Sequence, residues 1–332
     1  MNKPSEIHLL AERIEKNSSA KVYTDIGSRG RYATDASIYQ TIPKAVCVPS
    51  CADDVTVALQ VARELEVPIL PRGGGTSQCG QTTGAALVID NSKHFRKIID
   101  VDTQGKKVVV EPGVVLDHLN AALKKHQLWF PVDVSTAGQA TIGGMAGNNS
   151  CGSRSIAYGN MVHNVRGIDA WLANGQLASF GLMENAQGEA LRLGQFVQKL
   201  AQENTQEIDA NWPKVLRRVA GYNLDIFHNQ NVKPYTTDGK VNLAHILVGS
   251  EGTLAYFKSL ELQLTEIPAH KTLGVVNFAS FHTAMDSAQH IAKLTPSAIE
   301  LVDRTMLDLG RKNPEFKTVI DTALIYPHGP TP

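Results

Sequence analysis

No run of about 18 apolar residues occurs anywhere in the chain, so the sequence predicts no membrane-spanning helix. Net charge is also missing. Lys+Arg and Asp+Glu each number 32 and cancel, and no basic stripe of the kind that grips nucleic acid is present. The opening MNKPSEIHLLAERIEK lacks the apolar centre of a secretion signal. Cysteines number only 4 (Cys47, Cys51, Cys79 and Cys151), and their spacing fits no zinc pattern. A chain of 332 residues needs no disulfide staple. These absences together predict a cytoplasmic location with reduced thiols, where the N-x-S triplets at Asn17 and Asn148 carry no glycan. The 11 histidines are scattered, so no metal site is expected. Both common phosphate-binding signatures are lacking. There is no Gly-Lys-Ser/Thr, and the glycine-rich residues 73–84 have no apolar helical face to open a Rossmann helix.

What is present is ordinary globular composition, 42% hydrophobic and 19% charged, with length for about two domains. Residues 5–16 read as an amphipathic helix carrying His8. Ala45-Val46-Cys47-Val48 predicts a strand, and Ser50 with Asp53 a capping box. Val55, Leu59, Ala62 and Leu65 keep helical spacing up to Pro68, after which Ile69-Leu70 and residues 86–89 are apolar strand runs. Residues 43–100 thus predict a β-α-β unit with a glycine-rich loop at a strand end. Lys107–Glu111 predicts a further strand, closed by Pro112-Gly113, and Leu116, Leu119 and Leu123 a helix. Asn174-Gly175 between residues 168–172 and 176–180 is a hairpin signal. Residues 189–210 look helical, and the turn GSEGT precedes a strand to about Leu264. Composition shifts near Pro268, beyond which LGVVNF (273–278) predicts a strand and Ala284, Ala288, Ile291 and Leu294 a helix. The closing YPHGPTP suits no packed element.

Two glycine-rich stretches carry the functional signal: ILPRGGGTSQCGQ (69–81) and GQATIGGMAGNNSCG (138–152). Glycine permits positive φ and lets a ligand touch the main chain. Consecutive amides in such a loop form an anion-binding nest, and two nests suit two linked phosphates. The alternative is that both are turns and nothing more.

PRGGGTS, TIGGMAGNNSCG, YGNMVHNVRGIDAWLANG, AGYNL and GSEGTL occur in this order. Together they resemble the FAD-linked oxidases of the vanillyl-alcohol oxidase/PCMH type. Within that family they are most similar to the D-2-hydroxy-acid dehydrogenases acting on D-lactate, glycolate or D-2-hydroxyglutarate, with NNSCG and RRVAGYNLD nearest the long bacterial members that carry an iron–sulfur half. The resemblance spans about residues 40–310. It implies an α+β fold: a helical lead-in (1–40), a PCMH-type FAD-binding domain of two α/β subdomains (41–268), and the start of a cap or substrate domain (269–332), where Glu300–Arg304 resembles an early cap segment. The rest of that cap, its H-x-H-x-G-D-x-N string and the iron–sulfur cysteines are not in this sequence, which therefore looks truncated.

The resemblance also assigns roles. Arg72, Gly73, Gly74, Gly75, Thr76 and Ser77 would wrap the FAD pyrophosphate, mainly through backbone N–H groups. Thr141, Ile142, Gly143 and Gly144 would form a second cradle, with Asn149 and Gly152 on the flavin side and Asp133 before it. Ile168 would meet the adenine end through its backbone, and Glu251 and Gly252 would close around the isoalloxazine. Covalent relatives carry histidine where this loop has Gly75 or Thr76, so the FAD should be non-covalent, with the Cys151 thiol as the one alternative attachment point. The implied substrate is a small 2-hydroxy acid. The acceptor is open between an iron–sulfur domain and a quinone or cytochrome chain. No catalytic base can be assigned: His163 reads as a structural or flavin-contacting residue in preference to a catalytic one, Tyr222 lines the flavin face or equally packs through its hydroxyl, and at most one of the adjacent Arg217 and Arg218 meets an anionic substrate. Cys47 and Cys51 read as packing. A non-catalytic FAD-binding module is the second reading, and the cell-wall enolpyruvyl reductase branch a third, opposed by GSEGTL and AGYNL.

Overall fold

The computed structural model describes residues 6–228 and 233–324. The first residue of the expected 5–16 helix and the closing YPHGPTP lie outside them. The chain divides into two compact units, residues 1–152 with 159–267, and residues 153–158 with 268–332.

The first unit opens with the helix Glu6–Asn17, which buries Leu10 and Ile14. Its first sheet contains β1 (Lys21–Tyr23), β2 (Ala45–Val48), β3 (Ile69–Arg72) and β4 (Leu87–Asp90) in the order β1-β2-β4-β3. β4 pairs in parallel with both β2 and β3, while β1 is antiparallel to β2. The central β2 and β4 are buried at every position, as the apolar runs 45–48 and 87–89 require, and β4 closes on the buried Asp90. The helix Ala52–Glu64 links β2 to β3. Pro71 is tolerated in β3 because this strand lies at the sheet edge.

The expected capping box shifts by one residue. Cys51, not Ser50, is the N-cap and its side chain makes no capping bond. Asp54, rather than Asp53, turns back to accept the Ser50 amide at 2.7 Å and the Ser19 amide at 2.8 Å. The same buried carboxylate also accepts the Ser19 hydroxyl and so ties the helix to the turn after Asn17.

The second half of the unit runs through β5 (Ile98–Asp102), β6 (Lys107–Val110), β7 (Leu128–Trp129), β8 (Val165–Trp171), β9 (Leu177–Phe180), β10 (Tyr256–Gln263) and β11 (Thr265–Glu266). Five of these form an antiparallel sheet in the order β5-β6-β10-β8-β9, and β7 pairs with β11. β8 and β9 meet at the Asn174-Gly175 turn, where Gly175 takes φ 84°. The core beneath includes Leu119, Phe130, Ile142, Met161 and Leu260.

In the second unit, helices run Ser155–Tyr158, Phe281–Ala292, Arg304–Lys312 and Pro314–Ala323. The last three bury no side chain fully. Residues 273–278, expected as a strand, are assigned no regular structure, and Leu273 is 84% exposed. An apolar run becomes a strand only when a neighbour accepts its ladder. Among the described residues this segment has none.

Candidate functional site

The apolar edge strand β3 delivers Arg72 to the head of the first glycine-rich loop. Among the described residues, no acceptor is paired with the amides of Gly73, Gly74, Gly75, Thr76 or Ser77. A row of free donors is the expected form of an anion nest. Two of its glycines are required by close approach. A Cβ on Gly73 would stand 1.9 Å from Thr141 Oγ1, and one on Gly74 would stand 2.3 Å from the carbonyl oxygen of Gln139. The structure therefore packs the two glycine-rich stretches directly against each other.

The second stretch works differently from expectation. Thr141 is the N-cap of the helix Ile142–Asn148 and accepts the Gly144 amide at 3.4 Å. The Ile142 and Gly143 amides are engaged at 2.8 Å by the carbonyls of Val114 and Pro112. A Cβ on Gly143 would meet Pro112 at 2.4 Å. These amides are thus spent on the scaffold. The stretch packs against the first loop at Thr141 and Gln139, and the amides without a partner are those of residues 73–77.

Glu251 draws a third segment in. It sits at φ 51°, its amide donates to the Gly147 carbonyl at 3.0 Å, and its Oε1 accepts Asn148 Nδ2 at 2.9 Å and Gln81 Nε2 at 3.3 Å. Burial raises its carboxyl above the usual range. Gly252, at φ 75°, abuts Pro71. Asn149 is buried at the helix C-cap, donating to the Arg218 carbonyl at 3.3 Å and accepting the Val162 amide at 3.0 Å. Gly152 lies against Asp133, where a Cβ would be 2.3 Å from its carbonyl oxygen. Residues 71–81, 139–149 and 249–252 thus form one junction. Ile168 stands elsewhere, in the middle of β8 and paired with Leu260 on one side and Phe180 on the other.

Several supports carry no sequence signal. The Arg72 guanidinium donates to the carbonyls of Tyr32 (3.2 Å), Thr34 (2.7 Å) and Thr82 (2.9 Å). Its hydrogen bonds are therefore committed to main chain. Residues 32–34 belong to no recognisable motif, so this contact was unreadable in advance. Gln81 and Asn148 were also missed, although each lies inside a glycine-rich stretch.

The residues in and near motifs differ in their surroundings. Arg218 pairs with buried Asp225, whereas Arg217 is exposed. Tyr235 donates to Asp225 at 2.8 Å, and Asn223 Nδ2 donates to the His245 and Val248 carbonyls at 2.9 and 3.0 Å. His163 accepts the Asn160 amide at 3.0 Å, and burial lowers its pKa to about 4. Tyr222 lies within 2.7 Å of the Thr253 hydroxyl at the exposed rim. Among the described residues no group of three or more His, Cys, Asp or Glu could hold a metal ion.

Residues 43–181 match the FAD binding domain family, and residues 267–330 match the C-terminal domain of FAD linked oxidases. The chain belongs to the FAD-linked oxidase family. Its members bind FAD, and the free amides of this chain suit the diphosphate of that cofactor. The chain is 32% identical over 308 residues to the D-2-hydroxyglutarate dehydrogenase of Haemophilus influenzae, covering 88% of this chain and 29% of that protein. Identity to the Escherichia coli D-2-hydroxyglutarate dehydrogenase is 30%, covering 92% of this chain and 31% of that protein. The Bacillus subtilis glycolate oxidase subunit GlcD is 29% identical, with 85% of this chain and 51% of that protein covered. The chain spans about 30% of the length of the dehydrogenases it matches. A solved structure of alkyldihydroxyacetonephosphate synthase shares the fold, with a TM-score of 0.60, 17% identity and coverage of 90% of this chain and 47% of that one. No helix among the described residues is long and apolar enough to cross a membrane.

Proposed function

We propose that this chain is the FAD-holding portion of a cytoplasmic enzyme that oxidises a D-2-hydroxy acid such as D-lactate, glycolate or D-2-hydroxyglutarate. Residues 41–268 act as the FAD-binding domain and 269–332 as the opening of the cap. The observation that carries this reading is the row of unpartnered amides from Gly73 to Ser77, backed by Thr141 and Gln139. Free backbone donors beside a glycine-lined wall offer a diphosphate several hydrogen bonds at no desolvation cost to a charged side chain.

Gly73–Ser77 are assigned the diphosphate, with Arg72 behind them. Thr141, Ile142, Gly143 and Gly144 set the wall. Asp133, Asn149 and Gly152 border the flavin side, Glu251 and Gly252 close the junction, and Ile168 is assigned to the adenine end. The bound flavin supplies a two-electron acceptor for hydride from the substrate α-carbon. The chain's own residues orient it: Glu251 holds the 81, 148 and 251 segments together and keeps a half-buried carboxyl there. Gly75 and Thr76 stand where covalent relatives carry histidine, so the cofactor is held without a covalent bond, the Cys151 thiol being the one alternative attachment point. The electron acceptor is an iron–sulfur domain or a quinone or cytochrome chain.

The test is direct. Purified protein titrated with FAD should take up the flavin spectrum and release it intact on denaturation. Anaerobic D-lactate, glycolate or D-2-hydroxyglutarate should then bleach the colour. Bound flavin that no such acid bleaches would leave a binding module instead, and failure to take up FAD would end the reading altogether.

A further inference from the structure

The main-chain supports of the nest lie at residues 32–34, ahead of the segment 43–181 that matches the FAD binding domain family. We propose that residues 32–42 form a strap that completes the cofactor loop, with Arg72 as its positioning residue. This inference rests on the FAD reading above.

The strap is a small closed hairpin. Thr34 bridges Gln40 antiparallel, and the Thr41 amide donates to the Ala33 carbonyl at 2.9 Å. Ala33 is fully buried beneath it, while Ile38 at its tip is 94% exposed. Separate ties fasten it to the loop. Arg72 reaches the Tyr32 and Thr34 carbonyls on the strap and the Thr82 carbonyl at the far end of its own loop. Thr82 Oγ1 donates to Asp35 Oδ2 at 3.0 Å. The Tyr39 ring lies 2.7 Å from where a Cβ on Gly80 would stand. Tyr32 donates to Asp90 Oδ2 at 2.7 Å, at the end of the neighbouring strand, and its ring lies under the guanidinium at 5.4 Å.

Arg72 therefore closes residues 72–82 into a ring and pins that ring to the strap. It also lies against the nest, since a Cβ on Gly75 would be 2.6 Å from its Nη2. Its hydrogen bonds go to carbonyls, and among the described residues it has no ion-pair partner. Asp35 and Asp90 are the acids whose charge reaches it. Their oxygens accept from Ser37 and Thr82, and from Ser92 and Tyr32. A buried guanidinium without a direct counter-charge is costly unless an anion completes its surroundings. A diphosphate on the row of amides is such an anion.

Strap and cofactor loop should then stabilise each other, and the coupling must be reciprocal. The experiment measures FAD dissociation constants by flavin fluorescence for the full chain, Arg72→Lys and the double variant Asp35→Ala with Tyr39→Ala. It also follows hydrogen exchange of residues 32–42 with and without FAD. Arg72→Lys keeps the charge but loses the planar fork, so affinity should fall about tenfold. The double variant should fall about fivefold, and FAD should slow exchange in the strap by a similar factor. Folded variants that bind FAD within twofold of the parent chain, or strap exchange indifferent to FAD, would overturn the strap. Should Arg72→Lys fail to fold, the double variant alone decides. Loss of FAD binding by the parent chain itself is a different outcome: it removes the cofactor reading, and the strap's purpose with it.

Discussion

His245 is buried, 2% exposed, with Nε2 3.1 Å from the Val165 carbonyl. A carbonyl only accepts, so Nε2 carries the proton. Burial then lowers the imidazole pKa from 6.5 to about 4. A base whose native pKa is depressed binds more protons when unfolded, so its contribution is complete above pH 6.5 and lost as pH falls towards 4. The loss by pH 4.5 amounts to about 2 kcal/mol. Urea midpoints at pH 7 and 4.5 should separate strongly for the parent chain and less for His245→Gln, which keeps a donor but cannot charge. His163 titrates in the same direction, so the variant should retain part of the slope. Equal slopes would show that His245 does not titrate as its surroundings require. The motifs marked His163 as a residue of interest, but they did not mark His245. Its burial follows from β8 and the helix Ala244–Leu247 coming together, which no local pattern encodes.

At the scale of elements, the site is a meeting of loops. The two glycine-rich stretches were visible as sequence, and the strands and helices around them had the expected periodicity. Their division of labour was not visible. Only the positions of Pro112 and Val114 show that Ile142 and Gly143 have spent their amides, leaving the free donors at residues 73–77. Close approach makes this testable. Gly74→Ala would drive a methyl into the Gln139 carbonyl at 2.3 Å, where main chain must move, whereas Gly84→Ala meets only Leu70 Cδ2 at 3.5 Å. Gly74→Ala should cost about 2 kcal/mol in denaturant melts and weaken FAD at least about tenfold, while Gly84→Ala should stay within about 0.5 kcal/mol. Similar effects of both would argue against contact between the loops. The strand expected at 273–278 failed for the converse reason: the apolar run is there, but pairing is a property of neighbours.

At the scale of the whole molecule, the two units differ in how well each is buried. β8 and β10 are ladder-bonded in the middle of a sheet over a dense core, whereas the helices Phe281–Ala292, Arg304–Lys312 and Pro314–Ala323 bury no side chain fully. Local opening free energy follows buried apolar contact. Amides of these helices should therefore exchange at least about a hundredfold faster than those of β8 and β10 in a peptide-resolved measurement. Equal protection would mean that the second unit has a core of its own.

The sequence by itself determined the family, the cofactor class and most element positions, because glycine spacing, apolar periodicity and turn residues act over a few neighbouring positions. Tertiary structure alone decided which amides stay free, what Arg72 holds and where Glu251 binds the loops together. Those are contacts between segments tens of residues apart, and a backbone donor leaves no trace of its partner in the identity of its own side chain.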